Sequence, residues 1–160
     1  MAEDIKDISL STKKSFRIDG DNSRIIYLDT SDMNIMVRFN ETYPEIQKLA
    51  TDATNRLATI KASESEGEFE EQSPLNDLSE ILKDIDKQMR VKVDYIFASE
   101  VSDICVPTGN MYDLVNGEFR FSHLIDVLST LYANNFRAEF KKMQERVKKH
   151  TAKYTSKRRK

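Results

Sequence analysis

The segment from Phe119 to Val147 constrains the fold of this chain more than any other. Its apolar residues recur every three to five positions, which is the period of an amphipathic α-helix, and neither Pro nor Gly interrupts them. These residues are Phe121, Leu124, Leu128, Leu131, Phe136, Phe140, Met143 and Val147. The residues after Val147 form a basic tail without an acidic residue. A long C-terminal helix with a cation-rich end is therefore predicted.

Length and composition favour one domain with a modest core. The chain has 160 residues, of which 39% are hydrophobic and 32% charged. Its single cysteine, Cys105, excludes an internal disulfide, and a buried or half-buried apolar role is predicted for it. Residues 1–10 are acidic and no apolar run is long enough to cross a bilayer, so we expect neither a secretory signal nor a membrane segment. A cytoplasmic protein is predicted.

The first thirty residues have the pattern of a β-hairpin. Phe16 and Ile18 precede an Asp19-Gly20 step, and the β-prone run 25–28 follows it. Ile8 and Leu10 are candidates for a third strand. Because a lone hairpin is marginal in water, it should dock on helices or pair with another copy.

A first helix is predicted from Ser31-Asp32, two residues that cap helices well. Its apolar stripe has the alternating three- and four-residue steps of a coiled-coil seam, and Pro44 should either kink the helix or divide it. The partner of this seam, from the same chain or from another copy, is left open. The stripe consists of Met36, Phe39, Tyr43, Ile46, Ala50, Ala53, Leu57 and Ile60.

A second helix is predicted after an acidic linker. Residues 62–72 carry five glutamates, and Phe69 is their only large apolar residue, so this segment should be solvated. Ser73-Pro74 then supplies an N-cap and a first helical residue. The wide apolar face expected for this helix consists of Leu75, Leu78, Leu82, Ile85, Met89, Val93 and Ile96.

Residues 99–117 connect this helix to the last one. A one-turn helix, a loop and a short extended piece over 111–115 are predicted, with Asn116-Gly117 as a turn. The region contains Cys105, but no nucleophile signature surrounds it or either histidine, His123 or His150. The sequence also lacks a Gly-rich phosphate loop and a metal-ligand cluster. We therefore predict no catalytic residue, no metal site and no cofactor.

The predicted fold is mainly α with a small N-terminal β-hairpin (α+β). A helical core of three to four helices should include the long C-terminal helix. The corresponding regions are the hairpin region 1–30, a helical domain 31–147 with the linker 62–72, and the basic tail 148–160.

The order of short motifs along the chain carries a resemblance to a known family. The motifs are Ser31-Asp32-Met33-Asn34, Arg38-Phe39, Val93-Asp94-Tyr95-Ile96-Phe97, Gly109-Asn110 and Lys153-Tyr154-Thr155. Their order, over about Phe16 to Thr155, resembles that in the tail assembly chaperones of long-tailed, siphovirus-like bacteriophages that infect Gram-positive bacteria. The chain departs from the family pattern in its acidic linker and at Pro107, where a phenylalanine-glycine type of turn is expected.

The resemblance implies a non-catalytic assembly factor that acts in the host-cell cytoplasm and is absent from the mature virion. Such chaperones bind the tape-measure protein, a long helical chain that sets tail length, keep it soluble and help to recruit tail-tube protein. The predicted partner-binding residues are Met36, Phe39, Tyr43, Ile46, Phe136, Phe140 and Met143 in an apolar groove, and Lys148, Lys149, Lys153, Arg158 and Arg159 in the basic tail.

Two other functions remain open. One is a self-assembling structural or scaffold protein of a phage particle, in which the apolar seams join a homo-oligomer. The other is a small nucleic-acid-binding regulator that uses the basic tail. Nucleic acid is the less favoured partner, because only Tyr154 is interleaved with the cations and could stack on a base.

Overall fold

The computed structural model describes residues 4–65 and 72–158. The fold is mainly helical, with an N-terminal antiparallel hairpin and a long C-terminal helix, so the predicted fold class is confirmed. In chain order, the described elements are β1 (Lys14–Ile18), β2 (Asp21–Leu28), α1 (Asn34–Ser65), α2 (Gln72–Phe97), α3 (Ser102–Cys105), β3 (Leu114–Val115), β4 (Glu118–Phe119) and α4 (Arg120–Arg158).

The N-terminal hairpin forms at the predicted Asp19-Gly20 step. Both residues have positive φ, 52° and 72°, as a two-residue type I′ turn requires. The antiparallel register pairs Phe16 with Ile26. Alternation along β2 then turns Ile26 into the core and leaves the neighbouring Tyr27 exposed. One face of the hairpin is thus docked on the helices. This agrees with the expectation that an isolated two-stranded hairpin is only marginally stable in water.

The suggested third strand is wrong. Ile8 and Leu10 are 80% and 87% exposed, and residues 4–13 contain no strand. Two apolar side chains on one face bury too little surface to offset the entropy lost on ordering this segment.

The first helix begins where its capping residue predicts. The Asn34 N–H donates to Asp32 Oδ1 at 2.9 Å. Arg38 donates to the other carboxylate oxygen at 2.8 Å, and this hydrogen bond lowers the pKa of Asp32. The helix continues through Pro44 to Ser65 as one element, so Pro44 does not divide it.

The buried stripe of α1 differs from the predicted stripe by one residue at alternate positions. Phe39, Ile46 and Ala53 face the core in both. The other buried positions are Ile35, Thr42 and Leu49, next to the predicted Met36, Tyr43 and Ala50, of which only Ala50 is also half-buried against the core. Thr42 is polar and so lies outside the predicted stripe, but its hydroxyl donates to the Arg38 carbonyl and can therefore be buried. Met36 and Tyr43 consequently face solvent.

The predicted linker is shorter than expected. Residues 62–65 belong to α1, and α2 already begins at Gln72, one residue before the predicted cap. The rest of the linker, residues 66–71, lies outside the described residues. Helical propensity extends α1 past Ile60, after which the apolar residues become sparse.

The core forms around the C-terminal half of α2. Met89, Val93 and Ile96 on this helix are completely buried, which confirms its predicted apolar face there. α4 contributes Phe121, Leu128 and Tyr132 to the same core. The ring of Tyr132 lies 5.9 Å from that of Phe97, in a tilted aromatic contact that joins α4 to the end of α2.

A row of three charged residues on α2 holds the segment 98–113, which we call the connector. The row consists of Asp86, Arg90 and Asp94, spaced four residues apart on one helix face, and we call it the polar ladder. Asp94 caps the start of α3, because its Oδ1 accepts the N–H groups of Val101 and Ser102 at 3.0 and 2.8 Å. The carboxylate therefore satisfies two donors that a helix N-terminus leaves free.

Arg90 binds the connector at several points at once. Its guanidinium donates to the carbonyls of Ser102, Val106 and Gly109 at 3.3, 3.0 and 3.1 Å. Its Nε also donates to Asp86 at 2.9 Å, while the second oxygen of Asp86 accepts the Met111 N–H at 2.7 Å. A planar group with five donors suits such convergent carbonyls.

The connector in turn fixes the start of α4. The Met111 and Asp113 carbonyls accept the N–H groups of Phe121 and Arg120 at 2.9 and 2.8 Å. Between these points, β3 and β4 pair across Asn116-Gly117, whose positive φ values of 54° and 82° confirm the predicted turn. The direction of α4 thus depends on the polar ladder through these backbone hydrogen bonds.

Two further arginines bind carbonyls at helix C-termini. Arg38 of α1 donates to the Ile96 carbonyl at 2.9 Å, and Arg24 of β2 donates to the carbonyls of Ile104 and Cys105 at 2.9 and 2.7 Å. The last carbonyls of a helix have no partner within it, so these contacts satisfy them. They tie α1 and the hairpin to α2 and α3.

The last turn of α2 provides a test of backbone strain. Ala98 has φ 49°, and the N–H groups of Ala98 and Ser99 donate to the Tyr95 and Asp94 carbonyls, which is the Schellman arrangement. Glycine normally occupies this left-handed position.

Ala98→Gly should therefore raise the free energy of unfolding by about 1 kcal/mol, measured by urea denaturation. The matched control is Ala133→Gly, within α4, which should lower it by about 1 kcal/mol. Destabilisation by Ala98→Gly would contradict the strained cap.

Removal of the Arg90 side-chain charge tests the polar ladder. Arg90→Met should lower the free energy of unfolding by about 2–4 kcal/mol, because it leaves the Asp86 carboxylate and three connector carbonyls without this donor. The control is Lys87→Met, on the exposed face of the same helix, which should change stability by less than about 0.5 kcal/mol. Equal effects of the two substitutions in urea denaturation would disprove a special role for Arg90.

Candidate functional site

The second half of α4 is exposed on every side. Each residue from Arg137 to Lys157 is exposed, whereas the first half of the same helix contributes to the core. At 1.5 Å per residue, this segment is about 30 Å long. We call residues 137–157 the arm.

The arm leaves the body beside the hairpin and the short segment between β2 and α1. Asn135 donates from its amide to the Thr30 carbonyl at 3.1 Å, and Lys14 of β1 donates to Asn135 Oδ1 at 3.2 Å. Phe136 is half-buried, with its ring 6.4 Å from that of Tyr132. These contacts mark the end of the packed part of α4.

An apolar stripe continues along the arm in solvent. Phe140, Met143 and Val147 are 56%, 52% and 59% exposed, so this part of the predicted stripe lies outside the core. The stripe continues through His150 to Tyr154, which makes the steps four, three, four, three and four from Phe136 onward. This is heptad spacing, typical of a coiled-coil seam. We call Phe140, Met143, Val147, His150 and Tyr154 the arm seam.

The arm is strongly cationic. It carries eight Lys or Arg residues and two Glu residues, which give a formal net charge of +6 with His neutral. Lys142 Nζ donates to Glu139 Oε1 at 2.9 Å, and this hydrogen bond lowers the pKa of Glu139. The residues of the predicted basic tail continue α4 to its end at Arg158.

A second exposed apolar surface lies at the start of α1. Met33, Met36 and Val37 are 69%, 64% and 53% exposed. Tyr43 lies farther along the helix, with its ring 5.6 Å from that of Phe39 and its hydroxyl accepting a hydrogen bond from Gln47 at 2.8 Å. We call Met33, Met36, Val37 and Tyr43 the α1 surface.

The predicted partner-binding residues fall into separate environments. Ile46 is buried and cannot line an open groove, because it packs into the core with Leu49 and Ala53. Phe39 and Phe136 are half-buried against that core. The exposed members are Met36, Tyr43, Phe140, Met143, Lys148, Lys149 and Lys153. Arg158 ends α4, but its side chain is not described, and Arg159 lies outside the described residues.

Sequence reasoning missed the C-terminal extension of the arm seam. The predicted stripe ends at Val147, although Tyr154 lies seven residues later on the same line. The continuing heptad spacing was the signal that could have identified it. Met33 and Val37 were missed because they lie beside the predicted stripe of α1 rather than on it.

Cys105 is half-buried at the end of α3, and burial raises the pKa of its thiol to about 11, which disfavours the nucleophilic thiolate. No group of three or more metal-ligating side chains occurs among the described residues. None of the helices in residues 4–65 and 72–158 combines the length and hydropathy needed to span a bilayer.

The chain matches no protein-family model, and comparisons with curated proteins and with solved structures found no similar protein.

Shortening the chain tests whether the arm is independent of the body. A chain ending at Lys141 should retain its free energy of unfolding within about 1 kcal/mol, because the described side chains after Lys141 are all exposed. The helical signal in its circular dichroism spectrum should decrease, because the truncation removes the end of α4. The control ends at Leu131, loses the buried Tyr132, and should be destabilised by several times as much. A large loss of stability in the chain ending at Lys141 would show that the arm supports the fold.

Proposed function

We propose that the protein is a non-catalytic tail assembly chaperone of a long-tailed bacteriophage, which binds the tape-measure protein and keeps it soluble. The observation that carries this proposal is the arm, a helix of about 30 Å whose apolar seam is open along its length. A row of exposed apolar residues of this kind can pack against the apolar face of an amphipathic partner helix. The motif order described above supplies the phage context.

The partner in this proposal is a long helical chain with its own apolar stripe. One arm covers only a short stretch of such a chain, so many copies would bind along it. The α1 surface provides a second apolar contact close to where the arm leaves the body, since Asn135 binds Thr30 just before α1 begins. Covering the apolar stripe of the partner prevents its aggregation before tail-tube subunits arrive.

The site of action follows from the same proposal. The protein works in the cytoplasm of the infected cell, helps to recruit tail-tube protein around the tape measure, and is absent from the mature virion. Its affinity for the partner should decrease as salt rises, because the arm carries a net charge of +6.

Co-expression tests this function. The longest predicted helical protein of the source genome, as the candidate tape measure, should be insoluble alone and soluble with this chain. It should then co-purify with several copies of the chain. Phe140→Ser with Met143→Ser should abolish co-purification, since the pair removes two exposed apolar residues of the arm seam.

The control pair is Ala138→Ser with Ala152→Ser, on the opposite face of the arm, which should leave the complex intact. Unchanged solubility of the candidate partner and no co-purification would refute the proposal. A stable homo-oligomer of this chain that persists in purified particles would instead support the structural or scaffold function.

A further inference from the structure

The charged residues on the two flanks of the arm seam are mostly cations. In the heptad assignment set by the seam, the positions beside it on the arm are Arg137, Glu139, Gln144, Arg146, Thr151 and Lys153. Three of these are cations and one is an acid. All of them are exposed, so their charges are available to a second helix that lies along the seam.

Pairing of two arms is disfavoured by these charges. Two arms side by side would bring together two helices that each carry a formal net charge of +6. In a parallel pair, the flanking residues that face one another would be Glu139 with Gln144, Arg146 with Thr151, and Lys153 with Arg158. None of these pairs joins opposite charges, and the last is repulsive.

The narrow width of the seam favours a helix, rather than a membrane surface, as the partner of the arm. The apolar positions form a single heptad line, which His150 interrupts and cations flank. Helices that lie in a membrane interface present a wider apolar face with a large hydrophobic area. A single narrow line matches the contact surface of one partner helix.

We propose that the arm binds an amphipathic helix with acidic residues beside its apolar stripe, as a heteromeric coiled coil in which Arg146 and Lys153 face those acids. Phe140, Met143 and Val147 supply the apolar contacts. The two cations supply selectivity, since they attract an acidic partner helix and repel a second arm. The proposal rests on the proposed function only in its assumption that the arm has a protein partner.

The test uses the full chain and labelled peptides of about three heptads. The first peptide has Leu at the seam positions and Glu at all flanking positions, and the second replaces every Glu by Lys. Like charges on the flanks keep each peptide from pairing with itself. The chain should raise the fluorescence anisotropy of the Glu peptide and leave that of the Lys peptide unchanged. A scrambled peptide of the same composition as the Glu peptide should not bind.

Two charge-reversed variants separate pairing along the seam from attraction to any anion. Arg146→Glu with Lys153→Glu should weaken binding of the Glu peptide by at least about tenfold. Lys141→Glu with Lys142→Glu makes the same change in net charge at two exposed positions of the arm that lie outside the seam and its flanks. This control pair should weaken binding by less than about threefold. Both pairs lie on exposed positions, so circular dichroism should show an unchanged fold.

Several results would overturn the inference. These are equal losses in the two variants, equal binding of the scrambled peptide, or tighter binding of duplex DNA or of phosphatidylglycerol vesicles than of the Glu peptide. Binding of the Glu peptide without tape-measure co-purification would refute the proposed function alone. Co-purification without selective peptide binding would refute this inference alone.

Discussion

The hydrogen bonds of the polar ladder determine where α3 and the start of α4 lie. Asp86, Arg90 and Asp94 stand in a row on α2 and together bind the connector from the start of α3 to Met111. The connector then fixes the first residues of α4 through the Met111 and Asp113 carbonyls. Because these groups are partly buried, loss of one charged partner leaves others unsatisfied, which costs more than a surface ion pair. A connector with little regular structure thereby positions the longest helix.

The same helix serves two purposes along its length. Its first half buries Phe121, Leu128 and Tyr132 in the core, and its second half is exposed at every residue. A single helix in water gains little from its own hydrogen bonds, and the arm has no neighbour within the described residues to bury its seam. Exposed apolar residues at heptad spacing are therefore better explained by a partner than by the fold. The packed half of α4 would hold the arm in a helical conformation before the partner binds, which lowers the entropy cost of binding.

The parts of the fold that depend on local chemistry were predictable from the sequence. The Asp19-Gly20 and Asn116-Gly117 turns, the Asp32 cap and the apolar face of α2 all follow from residues close together in the chain. The buried stripe of α1 was predicted only in part, because the burial of Thr42 depends on a hydrogen bond that hydropathy does not show. The polar ladder could not be predicted, since it joins residues up to 25 positions apart. Heptad spacing identifies the stripe of α4, but it does not show where packing on the body ends at Phe136. The sequence therefore predicted a helix here, but not the position beyond which all of its sides are exposed.

Hydrogen exchange of the backbone amides, followed by mass spectrometry with and without the candidate tape-measure protein, tests the central claim most directly. The account predicts slow exchange in the core part of α2 in both states. It predicts rapid exchange in residues 137–157 of the free chain and strong protection of these residues in the complex. Unchanged exchange in the arm of a stable complex, with new protection confined to other parts of the chain, would contradict the arm as the partner-binding element.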